Sequence, residues 1–203
     1  MKIKSKLLLC SLIVTTLNIT ACMTTSALPA ESRPQHWGTL INQADNFYQI
    51  SNDVFRSEQP NAEMVKQLQS HNIDVVINLR SQDHDPKQLN SAEFKLVHIP
   101  IHTWAMSRED LLAVMRQIQL AKTQQQKVLI HCYHGSDRTG ASIAMYRIIF
   151  EQWKIDDALQ EMKYGGYGFH PIWQNIEPLF SPENVKWIQE QLSNPSSSIS
   201  TTH

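Results

Sequence analysis

The sequence predicts an α/β fold with a central, mostly parallel sheet flanked by helices. Three observations carry that expectation. Short apolar, β-branched runs alternate with helix-period patterns across residues 43–192, the order that layered α/β domains show. The runs at 74–79 (DVVINL) and 128–131 (VLIH) are nearly continuous in apolar residues, as strands covered on both faces are. The chain has 203 residues, 41% of them hydrophobic and 18% charged, which is enough for one such domain with tails.

The elements follow in order. Residues 47–50 and 54–56 form a small hairpin around Ser51-Asn52-Asp53. A helix over 61–69 starts just after Pro60 and buries Met64, Val65 and Leu68. Strands follow at 74–79 and 95–99. The helix over 107–122 turns Leu111, Leu112, Met115, Ile118 and Leu120 inward, and Ser107 and Asp110 have the spacing of a capping box. After the strand at 128–131 comes a helix over 139–153 with Ile143, Met145, Ile148 and Ile149 as core positions. Helices over 155–163 and 182–192 complete the domain.

The ends read differently. Lys2, Lys4 and Lys6, with no acid, precede an 11-residue apolar run at 7–17, too short to span a bilayer but suited to a signal peptide. Ile19-Thr20-Ala21-Cys22 follows and resembles the lipobox of bacterial lipoproteins. That resemblance implies removal of residues 1–21 and a lipid on Cys22. The chain would then sit in the bacterial cell envelope, anchored to a membrane on the periplasmic side. The other reading is an ordinary secretory signal cut after Ala27 or Ala30. Loss of 1–21 removes three Lys and no acid, taking the net charge from -1 to -4. Residues 22–42 read as a tether, and 193–203 (SNPSSSISTTH) as a disordered tail. The near-zero charge and the lack of a Lys/Arg block argue against nucleic acid as a partner. Three cysteines, at 10, 22 and 132, are too few for a disulfide scaffold or a Cys-built zinc site. Cys132 is then the one free thiol of the mature chain.

The chemistry gathers between the strand at 128–131 and the helix after it, where open α/β sheets bind ligands. The block is His131-Cys132-Tyr133-His134-Gly135-Ser136-Asp137-Arg138-Thr139-Gly140. A cysteine there faces loop amides and the positive end of a helix, surroundings that favour a thiolate. Arg138 has the planar fork that grips two oxygens of a phosphate. Gly135 lets the backbone close around an anion, and Thr139 offers a hydroxyl to the sulfur. Tyr133, His134, Gly135, Ser136 and Thr139 are the expected substrate-binding positions, and His131 an orienting residue that bonds the loop backbone. These parts specify in-line attack of Cys132 on phosphorus and hydrolysis of the cysteinyl-phosphate by water.

The block resembles the HC-x5-R-[ST] signature of protein tyrosine phosphatases. Phe55-Arg56-Ser57-Glu58-Gln59-Pro60, Val76-Ile77-Asn78-Leu79-Arg80, Tyr146-Arg147, Trp153 and Glu161-Met162 are similar to compact bacterial dual-specificity-like members, in particular the TpbA-like envelope branch. About residues 47–176 are covered. The resemblance implies a compact cysteine-phosphatase fold that uses no metal or other cofactor. The substrate it implies is a phosphorylated protein or small phosphoester.

One part of the family pattern is missing. The leaving group is normally protonated by an Asp on the loop after the strand at 95–99. Here that loop reads Pro100-Ile101-His102-Thr103-Trp104-Ala105-Met106, with Trp104 in the place of the Asp. Asp137 inside the catalytic loop is the first candidate for the acid; Asp83 or Asp85, His102 and Asp110 are the others. Each also has a structural role open to it, Asp137 as an acceptor for loop amides or a pair with Arg or His. Arg56 and Arg80 stand near strand ends, either adding positive field or forming surface ion pairs. The segment from Gly165 to Pro171 is expected to pack near the pocket and position His170 or Gln174. Trp104 and Trp173 wall the pocket or simply pack. Two further readings stay open: a phosphoinositide or inositol-phosphate phosphatase, and a weakly active phospho-ligand binding lipoprotein.

Overall fold

A computed structural model describes residues 25–89 and 93–194. The signal segment, Cys22 and nearly all of the tail expected over 193–203 lie outside the described residues. Six strands form one sheet in the order β1-β2-β3-β6-β4-β5. They are β1 Thr39–Asn42, β2 Phe47–Gln49, β3 Val54–Ser57, β4 Ile73–Asn78, β5 Lys95–His98 and β6 Lys127–His131. The β1-β2 and β2-β3 pairs are antiparallel, and β3, β6, β4 and β5 run parallel. The helices are α1 Val65–Ser70, α2 Asp85–Gln88, α3 Arg108–Thr123, α4 Asp137–Glu151, α5 Ile155–Tyr164 and α6 Pro182–Ser193.

Side-chain alternation explains why the middles of β4 and β6 are apolar on both faces. Val54, Val75, Ile77, Val128 and Ile130 join the larger core with residues of α3, α4, α5 and α6. Phe55, Val76 and Leu129 point to the opposite face and pack with Phe47, Leu68, Leu89 and Phe94. The middles of β4 and β6 are covered on both faces, so apolar side chains run through them without alternation.

Several boundaries differ from the expectation. The tether expected over 22–42 ends early. Thr39–Asn42 is the edge strand of the sheet, and Trp37 is buried. Upstream of it, the amides of Thr25 and Leu28 donate to the carbonyls of Phe169 and Tyr164. The first helix starts at Val65, because the Asn61 side chain accepts from the amides of Glu63 and Met64 and holds a turn there. Helix α4 starts at Asp137 and not Thr139, which shortens the catalytic loop. Ser107 and Asp110 form the expected capping box on α3. Leu120 is exposed on that helix, since it lies two residues past Ile118; Val114 and Ala121 fill the inner face instead.

Candidate active site

The site is built at the carboxyl end of the central strand. His131, the last residue of β6, lies between Ser57 of β3 and Asn78 of β4. Cys132 follows it, 3% exposed and free of any disulfide. The chain then turns through Tyr133 to Ser136 into the first turn of α4. Gly135 makes the turn possible. Its φ is +69°, and a Cβ there would lie 2.4 Å from the carbonyl oxygen of Ser57. Among the described residues, no acceptor meets the backbone N–H groups from Tyr133 to Arg138. Free amides at a helix start are an anion site, reinforced by the helix dipole. The Thr139 hydroxyl is fully buried and also without a partner among the described residues.

Arg138 is half-buried. Its Nη1 donates to the carbonyls of Leu79, at 3.3 Å, and Ile101, at 3.1 Å. Those two contacts fix the guanidinium at the ends of β4 and β5 and leave Nε and Nη2 for a ligand.

A layer of polar residues holds the loop from below. His131 is buried, with Nδ1 3.1 Å from the Cys132 carbonyl and Nε2 2.8 Å from Asp85 Oδ2. Both neighbours are oxygens, so the ring bridges the loop backbone and the Asp85 carboxylate. Asp85 is 1% exposed. Burial pulls its carboxyl upward, but hydrogen bonds and charge from His131, the Gln59 amide and Arg80 win and keep it below its ordinary value. Gln59 accepts from Arg80 Nη1 at 2.8 Å and donates to Asp85 Oδ1 at 2.8 Å, while its backbone N–H meets the Tyr133 carbonyl. Arg56 is not a surface residue. It is completely buried, donates to the Gly135 carbonyl and lies 3.9 Å from the centroid of the Tyr167 ring. Burial lowers its pKa, against the opposing pull of Tyr167, Glu161 and Cys132. Arg80 lies over the exposed Tyr133 ring and spends its Nη1 on Gln59 rather than on a surface ion pair.

A cavity of about 390 Å³ opens above the loop. Its walls include Tyr133, His134, Asp137, Arg138, His170 and Trp173. Ser136 is buried beneath it, with Gly168 packed against its side chain. Of the candidate acids, only Asp137 reaches the cavity. Asp85 is sealed under His131, Asp83 accepts from the Asn78 side chain, and Asp110 serves the α3 cap. His102 and Trp104 are stacked on one another, 4.7 Å apart, outside the cavity wall. Asp137 Oδ1 accepts from the His170 backbone N–H at 2.8 Å, and Oδ2 lies 2.9 Å from His170 Nδ1. The Gly165 to Pro171 segment therefore does position His170 at the pocket, and Gln174 stays outside it.

Asp85, Gln59 and Arg56 support the loop, a role that sequence reasoning misses. The short string Arg56-Ser57-Glu58-Gln59-Pro60 carries the signal for two of them. Nothing in the spacing reveals that Asp85 folds beneath His131.

A lone cysteine at the end of a central parallel strand, under free amides and beside a forked cation, defines a phosphate-binding protein of the cysteine-nucleophile class. Residues 54–179 match the family described as dual specificity phosphatase, catalytic domain. Over 143 residues the chain is 35% identical to the dual specificity protein phosphatase TpbA of one Pseudomonas aeruginosa strain and 36% identical to that of another. Those matches cover 70% of this chain and span 65% of the length of the curated relatives. The crystal structure of P. aeruginosa TpbA is similar with a TM-score of 0.72 and 31% identity, covering 79% of this chain and 98% of that one. A serine-for-cysteine TpbA variant in complex with phosphotyrosine gives 0.73 and 30%, covering 80% and 99%. The chain belongs to the dual specificity phosphatase family, and its fold is the compact α/β fold of that family.

Proposed function

We propose that the chain is a protein tyrosine phosphatase with dual specificity, working through a cysteinyl-phosphate. The observation that carries the reading is the loop from Cys132 to Arg138, with its unpartnered amides and a guanidinium tied down at one nitrogen only. The Cys132 sulfur attacks phosphorus in line, and the bond to the ester oxygen breaks. Loop amides and the free Arg138 donors hold the equatorial oxygens through the charge build-up. Water then attacks the cysteinyl-phosphate and releases inorganic phosphate, returning the sulfur as thiolate. Thr139 is a hydroxyl donor available to that sulfur.

A monophosphate on an aromatic group suits the cavity. Tyr133 and Trp173 supply apolar walls, and among the described residues Arg138 is the one Lys or Arg that lines it. The TpbA variant bound to phosphotyrosine supports the same substrate. An inositol phosphate with several phosphates would meet too little positive charge there. The lipobox-like segment supports an envelope location with a lipid on Cys22.

Acid quenching during turnover of a ³²P-labelled phosphotyrosine peptide is expected to trap label on Cys132, with none on Cys132→Ser. Turnover without trapped label, or labelled Cys132→Ser, would exclude the mechanism. Labelling cells with a radioactive fatty acid is expected to mark the protein, and Cys22→Ala to abolish the mark; label that survives Cys22→Ala removes the anchor from the proposal.

A further inference from the structure

The departing ester oxygen needs a proton, and the loop that supplies one in the family pattern carries Trp104 here. We propose that His170 is the general acid, with Asp137 as the residue that positions it; this rests on the phosphatase reading above.

Among the described residues Asp137 is the one carboxylate in the cavity wall, and it is already committed as an acceptor of the His170 N–H. Its oxygens face His170 Nδ1 at 2.9 and 3.2 Å and the His170 backbone N–H at 2.8 Å. A protonated Asp137 would reverse the ring bond, donating from Oδ2 to Nδ1, and would then aim no proton into the cavity. An ionised carboxylate accepts only, so Nδ1 carries a hydrogen and the tautomer is fixed. Nε2 is then the nitrogen that gains or gives the proton. No described residue meets it, and the ring forms part of the cavity wall beside Arg138. A buried carboxylate behind an imidazole selects its tautomer and stabilises its charged form, the division of labour known from acid–base dyads.

The scaffold also ties the segment that carries this ring to the loop. Asn46 Nδ2 donates to the carbonyls of both His134, at 2.9 Å, and Tyr167, at 3.1 Å, stitching the loop to the 166–170 segment. Gly166 and Gly168 have φ of +86° and +83°, and a Cβ on Gly168 would come within 3.2 Å of Ser136 Oγ. The close approach brings His170 onto the first turn of α4.

The His170 imidazolium gives its Nε2 proton to the ester oxygen as the P–O bond breaks, leaving neutral imidazole and a neutral alcohol or phenol. The same nitrogen then takes a proton from the water that attacks the cysteinyl-phosphate. The charged and titratable groups of the site around the ring are Asp137 and Arg138 of α4, Tyr133 and His134 of the loop, the His134 ring 6.2 Å away, and the buried Cys132 sulfur at the start of that loop. Asp137 and a bound phosphate dianion favour the imidazolium; Arg138 and a protonated His134 oppose it.

The test compares phenyl phosphate, a poor leaving group, with 2,4-dinitrophenyl phosphate, a good one, in wild type, His170→Gln and Asp137→Asn. In His170→Gln, kcat/KM is expected to fall about 10²-fold more for the phenyl ester than for the dinitrophenyl ester. The decline of kcat/KM at high pH that wild type shows with the phenyl ester should vanish in the same variant. Asp137→Asn should shift that decline to lower pH, because the ring loses the carboxylate that favours its charge. Equal slowing of both esters, or a high-pH decline kept in His170→Gln, overturns the assignment. Trapping of ³²P on Cys132 separates the two levels. Wild type that labels while His170→Gln slows both esters equally sinks only the acid, whereas wild type that never labels sinks the phosphatase reading with it.

Discussion

Arg138→Ala is expected to lower kcat/KM for an aryl phosphate by about 10³-fold, roughly what losing strong preorganised donors to a charged transition state costs. Two of the guanidinium's nitrogens are free to reach equatorial oxygens, and both leave with the side chain. The third nitrogen matters as well. Nη1 is held by the carbonyls of Leu79 and Ile101, so the fork arrives oriented and loses little entropy when phosphate binds. Lysine cannot reproduce this. One ammonium can satisfy the two carbonyls or the phosphate, and it cannot present two parallel N–H groups. Arg138→Lys should therefore lose about 10²-fold despite keeping its charge. Inhibition by vanadate or inorganic phosphate should weaken in both variants, Ala more than Lys. Thermal stability should change little, because Arg138 is only half-buried. Activity in Arg138→Ala within about tenfold of wild type would place the phosphate clamp elsewhere.

The same loop shows how much of the site is legible in the sequence. Cys132, Arg138 and Gly135 can be read there because each is forced by local chemistry: a nucleophile after a strand, a fork for phosphate, a residue free of Cβ where the chain folds back on Ser57. The strands are readable for a related reason, since two-sided burial fills them with apolar side chains. Features set by long-range contacts are not legible. Asp85 looks like a solvated loop acid in sequence, yet a short helix carries it beneath His131, 46 residues away. Arg56 looks like a strand-end charge and proves to be wholly buried against Tyr167. Thr39–Asn42 falls within the expected tether because four residues with exposed or half-exposed side chains leave no periodic signal; the pairing with β2 makes them a strand. The missing loop Asp is visible as an absence. The pair that occupies the cavity in its stead, Asp137 and His170, is separated by 33 residues, and only the Gly-rich bend hints at it.

Glu161→Ala is expected to cost about 3–5 kcal/mol of stability, the range for removing one partner of a buried ion pair. Arg147 and Glu161 are 2% and 1% exposed. Arg147 donates from Nε and Nη2 to the two oxygens of Glu161, each at 2.8 Å, and lies 4.2 Å from the Trp153 ring centroid. Glu161 Oε1 also accepts from the Gly38 amide at 2.8 Å and from the Tyr167 hydroxyl at 3.1 Å. The pair thus joins α4 to α5, to the chain entering β1 and to the ring stacked on Arg56. Burial disfavours the Arg147 charge, but Glu161 and Glu151 outweigh it and hold the guanidinium above its ordinary value. Without Glu161 the cation keeps Glu151, the His36 carbonyl and the Trp153 face; the Gly38 amide keeps the Tyr167 hydroxyl at 3.1 Å, and the Tyr167 O–H loses its acceptor. At about 2–4 °C per kcal/mol for a chain of this size, the melting temperature should drop by about 6–20 °C. The double variant Arg147→Met/Glu161→Leu should recover part of that loss, since an apolar pair carries no stranded charge. Its recovery should stay incomplete, because the Tyr167 hydroxyl loses its acceptor and the Gly38 amide its shorter one. A double variant as unstable as Glu161→Ala would show that the stranded Tyr167 hydroxyl and lost contacts, and not the buried cation, set the cost.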